Sequence, residues 1–66
     1  MRKAIPHLFA DATAKLEDAI AISVEGQRRD NSQDMQRALA CHLRMAIAVM
    51  DGVVGEIKHR LGDAHD

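Results

Sequence analysis

Hydrophobic positions recur at three- and four-residue steps over two stretches of this chain, with a wholly polar segment between them. In the first stretch Ile5, Leu8, Phe9, Ala12, Leu16, Ala19, Ile20, Ser23 and Val24 follow one another at this spacing. At 100° per residue they cover about 160° of one face, the mark of an amphipathic helix. Lys15, Asp18 and Asp11 fall opposite, and Ile22 is the one large apolar residue left outside the stripe. Pro6 suits a first helical turn, where its missing N–H would have no partner. Gly26 ends the pattern. A first helix is expected over about residues 6–26.

The connector Gln27-Arg28-Arg29-Asp30-Asn31-Ser32 holds no hydrophobic residue. Asn31 or Ser32 can cap a second helix, with Gln33 and Asp34 in the favourable first turn. Met35, Leu39, His42, Leu43, Ala46, Val49, Met50, Val53, Val54, Ile57 and Leu61 then recur at helical spacing. Lys58, His59 and Arg60 place cations in the last turn, and Gly62 provides the stop. The weak point is Asp51-Gly52, a turn dipeptide inside the pattern, with Gly55 three residues on. Each glycine costs about 1 kcal/mol relative to alanine within a helix. The stripe keeps its phase across them, which favours one long helix over about 32–61, straight or bent at Asp51-Gly52, over two shorter ones. Residues 62–66 read as a frayed tail.

Met45, Ile47 and Ala38 widen the second apolar arc to about 200°, of which one neighbouring helix covers about half. This helix also outruns the first by about two turns, or ~15 Å at 1.5 Å per residue. The expected fold is therefore all-α: a two-helix antiparallel hairpin, shorter helix first, completed by packing against another chain.

Composition sharpens that expectation. Of 66 residues, 47% are hydrophobic, but 11 of those are alanine and the only aromatic is Phe9. Apart from Met1, eighteen large apolar side chains remain. A chain this short with no disulfide pair usually needs a partner or exceptional helix packing. So few side chains cannot form a core and also wall an enclosed pocket of roughly 300 Å³, which argues against an enzyme.

Nine basic residues against ten acidic ones give a formal charge of −1, disfavouring a dedicated nucleic-acid binder. Arg28-Arg29 and Lys58-His59-Arg60 are small separate basic clusters without an aromatic stacking platform. Cys41 is single, so nothing points to an oxidising compartment. Met1-Arg2-Lys3 is basic, but Pro6, His7 and Asp11 come before any apolar leader develops. The longest runs free of charged residues and histidine, Ala19 to Val24 and Met45 to Met50, are far short of a membrane span. A cytoplasmic location is expected.

Candidate chemistry is sparse. Cys41 and His42 are adjacent, about 100° apart on a helix, with no further His at ligand spacing, so no metal site or cofactor is expected. His42 lies amid the apolar stripe and reads as a core or interface histidine. His42-Leu43-Arg44 lacks the acidic residue that follows a phosphoaccepting His. Gly52-x-x-Gly55 follows no strand, so it is no phosphate cradle; close approach of another helix is its sharper reading.

Ala46-Ile47-Ala48-Val49-Met50, followed by Gly55-Glu56-Ile57-Lys58 and preceded by a weaker echo in Leu16-Glu17-Asp18-Ala19-Ile20, resembles the small type III secretion co-chaperones. These help to keep a needle subunit soluble in the cytoplasm. The resemblance spans most of the chain, although Asp51-Gly52 departs from the family's pattern. It implies a helical hairpin paired with a larger helical-repeat chaperone that grips the needle subunit. Partner contacts follow from physical reasoning instead of any motif. Phe9, Leu16 and Ile20 are the bulkiest residues of the first stripe. Ile47, Val54, Ile57 and Leu61 lie on the flank and overhang of the second helix, though Leu16 and Ile57 serve equally well as intramolecular core. The alternative is a homodimeric four-helix bundle of the kind used by small RNA-binding regulators, with basic residues along one outer face.

Overall fold

The computed structural model describes residues 2–62, which form two helices, α1 (Ile5–Gly26) and α2 (Gln33–Leu61), packed against each other as a hairpin. Of the tail expected at 62–66, only Gly62 lies within the described residues. The all-α expectation holds, and so does its asymmetry: α1 has 22 residues and α2 has 29. Their ends follow from local chemistry. Pro6 lies in the first turn of α1. Ser32 has extended backbone angles and its Oγ accepts the Met35 N–H at 3.1 Å, satisfying one of the amides that a helix start leaves orphaned. Gly62 takes the left-handed conformation at φ 73°, which a side chain would resist, and its N–H turns back to the His59 carbonyl.

Gly26 plays no such part. It belongs to α1, and Gly62 is the only described residue with positive φ. The first helix is ended by bonds from the connector: the Gln27 and Arg28 amides return to Val24 and Glu25, and Asn31 Nδ2 donates to the Glu25 carbonyl at 2.8 Å. Arg28 folds over the same corner, with Asp30 at 2.9 Å and Glu25 at 3.3 Å. The hydrogen bond to Asp30, then the charge of Glu25, push its guanidinium above its already high ordinary range.

α2 runs unbroken through Asp51 and Gly52. A Cβ added at Gly52 or Gly55 would meet nothing within 4 Å, so neither glycine serves close approach of α1. Continuity comes from the other side of the helix, where the apolar residues before and after Gly52 rest on the same neighbour.

That contact has a regular rhythm. Along α2 the covered or half-covered residues are Leu39, Leu43, Ala46, Met50, Val53, Ile57 and Arg60; along α1 they are Ile5, Leu8, Ala12, Lys15, Ala19, Ile22 and Gly26, with Asp11 beside them. Alternating steps of three and four keep one seam facing a partner, as in coiled coils. The seam rotates α1 away from the expected stripe. Ile22 is part of it, while Phe9, Leu16, Ile20 and Val24 are exposed. The small Ala12 and Ala19 stand on the seam line of α1, whereas a Cβ added at Gly26 would meet nothing within 4 Å, so Gly26 plays no part in close approach. Lys15 joins the seam by laying its aliphatic stem along it while its ammonium reaches Asp18 at 3.4 Å.

The open end is closed by the residues before α1. Arg60 Nη2 donates to the Lys3 carbonyl, its Nε lies 3.2 Å from the Glu56 carboxylate, and Arg2 approaches the same carboxylate at 3.7 Å. The overhang expected at the C-terminal end of α2 is thus taken up by the chain's own start. The result is a rod of 47 × 21 × 19 Å with a radius of gyration of 15.1 Å, against about 10.8 Å for a globular chain of this length.

Candidate interaction surface

A two-helix rod has one seam and two long sides, and here the sides differ. On one, Leu16, Ala19, Ile20, Ser23 and Val24 of α1, with Gln27 of the connector, meet Leu43, Ile47 and Met50 of α2 around an open groove of about 490 Å³. No ionisable side chain lines it. The line of α1 extends to Phe9 and that of α2 to Val54 and Leu61, by the same three- and four-residue steps, with Asp51 and Lys58 at the intervening positions of α2. These are large apolar side chains in the open: Phe9 is 54% exposed, Ile20 55%, Val24 59% and Leu61 63%.

The opposite side is mixed. One groove of about 370 Å³ is lined by Lys15, Asp18, Ile22, His42, Met45, Ala46 and Val49. Its neighbour, of about 310 Å³, has Lys3, Asp11 and Lys15 over Val49 and Val53. Lys3 holds Asp11 at 2.6 Å. Met45 and Val49 are as exposed as the residues of the first side, but here paired charges stand among them. His42 belongs to this side and is exposed, so of the two places its stripe suggested, core or interface, it is not in the core. The heptad seam passes through Leu39, Leu43 and Ala46 and leaves His42 on its flank.

Of the seven residues expected from the sequence to contact a partner, Phe9, Leu16, Ile20, Ile47, Val54 and Leu61 fall on the apolar side and are exposed. Ile57 does not; at 5% exposure it is a core residue of the seam, with Leu8 and Ala19. Val24 completes the side, and its place at the end of the stripe, beside the polar connector, conceals it in the sequence. Leu43 and Met50 line the same groove from the edge of the seam.

Charges mark the rim. Most described ionisable side chains are committed: Arg2 and Arg60 to Glu56, Lys3 to Asp11, Lys15 to Asp18, Arg28 to Glu25 and Asp30, Arg37 to Asp34. Glu17, Arg44 and Asp51 make no ion pair, and each is the residue directly after a groove-lining one, Leu16, Leu43 and Met50. With Arg28 held in the corner, Arg29 is the one free cation of the connector pair among the described residues.

Among the described residues no group of three or more His, Cys, Asp or Glu side chains comes together, and Cys41 is free and exposed. α2 is long and apolar enough, by length and composition, to cross a membrane, with a mean hydropathy of 1.5 over its most apolar window. Arg44 and Asp51 lie in its middle, where each charge in hydrocarbon costs roughly 2.5–3.5 kcal/mol. Comparison with protein-family models, with curated proteins and with solved structures finds no match to this chain.

Proposed function

We propose that this chain is a non-enzymatic co-chaperone or adaptor, which donates the apolar side of its hairpin to a helical surface on a larger cytoplasmic partner. One observation carries the reading: seven of the ten large exposed apolar residues lie along one side of the rod, and the groove at its centre is lined by no ionisable group. A monomer rarely leaves such a surface uncovered. Covering it removes roughly 25 cal/mol of unfavourable hydration for each Å² of apolar area taken from water. Mass action supplies the mechanism, since a chain that binds only the folded partner draws it away from aggregation-prone states.

The resemblance to type III secretion co-chaperones supplies the partner in this proposal, a helical-repeat chaperone carrying a needle subunit. Co-purification from the native host tests it. Val54→Asp, on the apolar side, is expected to lower partner recovery by about a hundredfold, the scale of burying an unpaired charge. Asp11→Ala, on the mixed side, is expected to leave recovery unchanged. Equal losses from the two substitutions, or no helical partner at all, would overturn the proposal.

A further inference from the structure

The chain exposes 5286 Å², whereas a folded monomer of 7.3 kDa exposes about 4,200 Å². The excess is on the order of 1,000 Å² per chain, close to the ~800 Å² that each partner contributes to a stable interface. A surface of that size can be closed by one more copy, and the rim charges say how. Arg44 and Asp51 are opposite in sign, both without an ion-pair partner, and seven residues apart on one side of α2. Two turns, about 10.5 Å, separate them, too far for a direct pair within the helix. Midway between them stands Ile47, in the centre of the charge-free groove.

We propose that the free chain caps this side with a second copy of itself, as an antiparallel isologous dimer whose two-fold axis crosses α2 beside Ile47. In that register Arg44 of each copy meets Asp51 of the other, so the unpaired couples of the two copies become two intermolecular pairs. Leu16 and Ile20 share their groove with Leu43, Ile47 and Met50, so the same axis crosses α1 between Leu16 and Ile20. Each then meets its counterpart's apolar line, and Phe9 is brought over Val24 of the other copy. A two-fold parallel to the helices lacks this match, because it keeps each residue at its own level and leaves Arg44 and Asp51 as far apart as they are within one chain. In the antiparallel register the like-charge approaches are Glu17 with its own copy, at the solvent edge where salt screens it, and Lys58 with Arg37 of the other copy, whose guanidinium is already held by Asp34.

The inference rests on the proposed function in one respect: the same side serves both, so a larger partner must displace the second copy. Sedimentation equilibrium on the full chain tests it, with helicity followed by circular dichroism. The wild type is expected to be dimeric. Arg44→Asp and Asp51→Arg should each weaken the dimer by about tenfold, because each reversal damages both symmetric pairs. Together in one chain they should restore it. A monomer at all concentrations, or a dimer indifferent to the single reversals, or one that the double reversal fails to rescue, would overturn the proposal. A monomer that still takes up the helical-repeat chaperone leaves the proposed function standing. A dimer that passes the charge test but is never displaced by that chaperone removes the proposed function and leaves the dimer.

Discussion

Single residues set the ends of both helices, and their effects are measurable one at a time. Ser32 supplies the side-chain bond that starts α2, so Ser32→Ala is expected to cost about 1 kcal/mol in urea denaturation of the assembled protein. Gly52 has the opposite prospect. It is helical and an added Cβ would meet nothing, so Gly52→Ala should stabilise the fold by about 1 kcal/mol, seen as a raised midpoint with unchanged stoichiometry. If instead the substitution disrupts assembly, the back of α2 is a contact surface and the glycine is there for close approach. Ser32 and Gly62 are legible in the sequence because capping is local chemistry. The end of α1 is legible only in position: Gly26 marks it, while the bonds that make it come from Gln27, Arg28 and Asn31, through a turn that spacing alone does not reveal.

At the level of the helix, what matters is rotation. Periodicity gives α1 an apolar arc wider than one neighbour can cover, and an arc does not say which half is taken. The seam takes the half that carries Ala12, Ala19 and Ile22, and leaves Phe9, Leu16, Ile20 and Val24 outward. The charge of Lys15 points to solvent in the sequence, yet its aliphatic stem is what the seam uses. His42 is not in the core for the converse reason, because a position flanked by apolar neighbours need not be in the seam. Ile57 illustrates the ambiguity on α2: a residue that suits core and contact equally by spacing is core. Ile57→Ala is accordingly expected to cost about 2–4 kcal/mol by cavity formation, measured by thermal or urea denaturation. A loss below about 0.5 kcal/mol, the range of exposed positions, would mean that the seam is not the stabilising contact.

For the whole molecule, the hairpin has a seam but almost no interior. Leu8, Ala19 and Ile57 are its buried residues among those described, and none of its side chains is fully enclosed. A chain of this size cannot offset the entropy of its ordering with so little burial. The same composition that suggests a partner in the sequence appears in three dimensions as an exposed apolar groove with no ionisable side chain in its lining. The surplus apolar arc is legible because counting and spacing suffice to find it. Which side carries it is not, because that depends on the rotation of α1 and on where the ion pairs Lys3–Asp11 and Lys15–Asp18 fall.

Two neighbouring residues of α2 give the most direct test. Ile47 and Val49 are almost equally exposed, at 47% and 49%, but stand on opposite sides of the rod. The molar mass of Ile47→Asp and Val49→Asp should be measured by light scattering, alone and with the helical partner. The account predicts that Ile47→Asp abolishes assembly while Val49→Asp, beside Lys15, retains it. Loss of assembly in both, or in Val49→Asp alone, would contradict it.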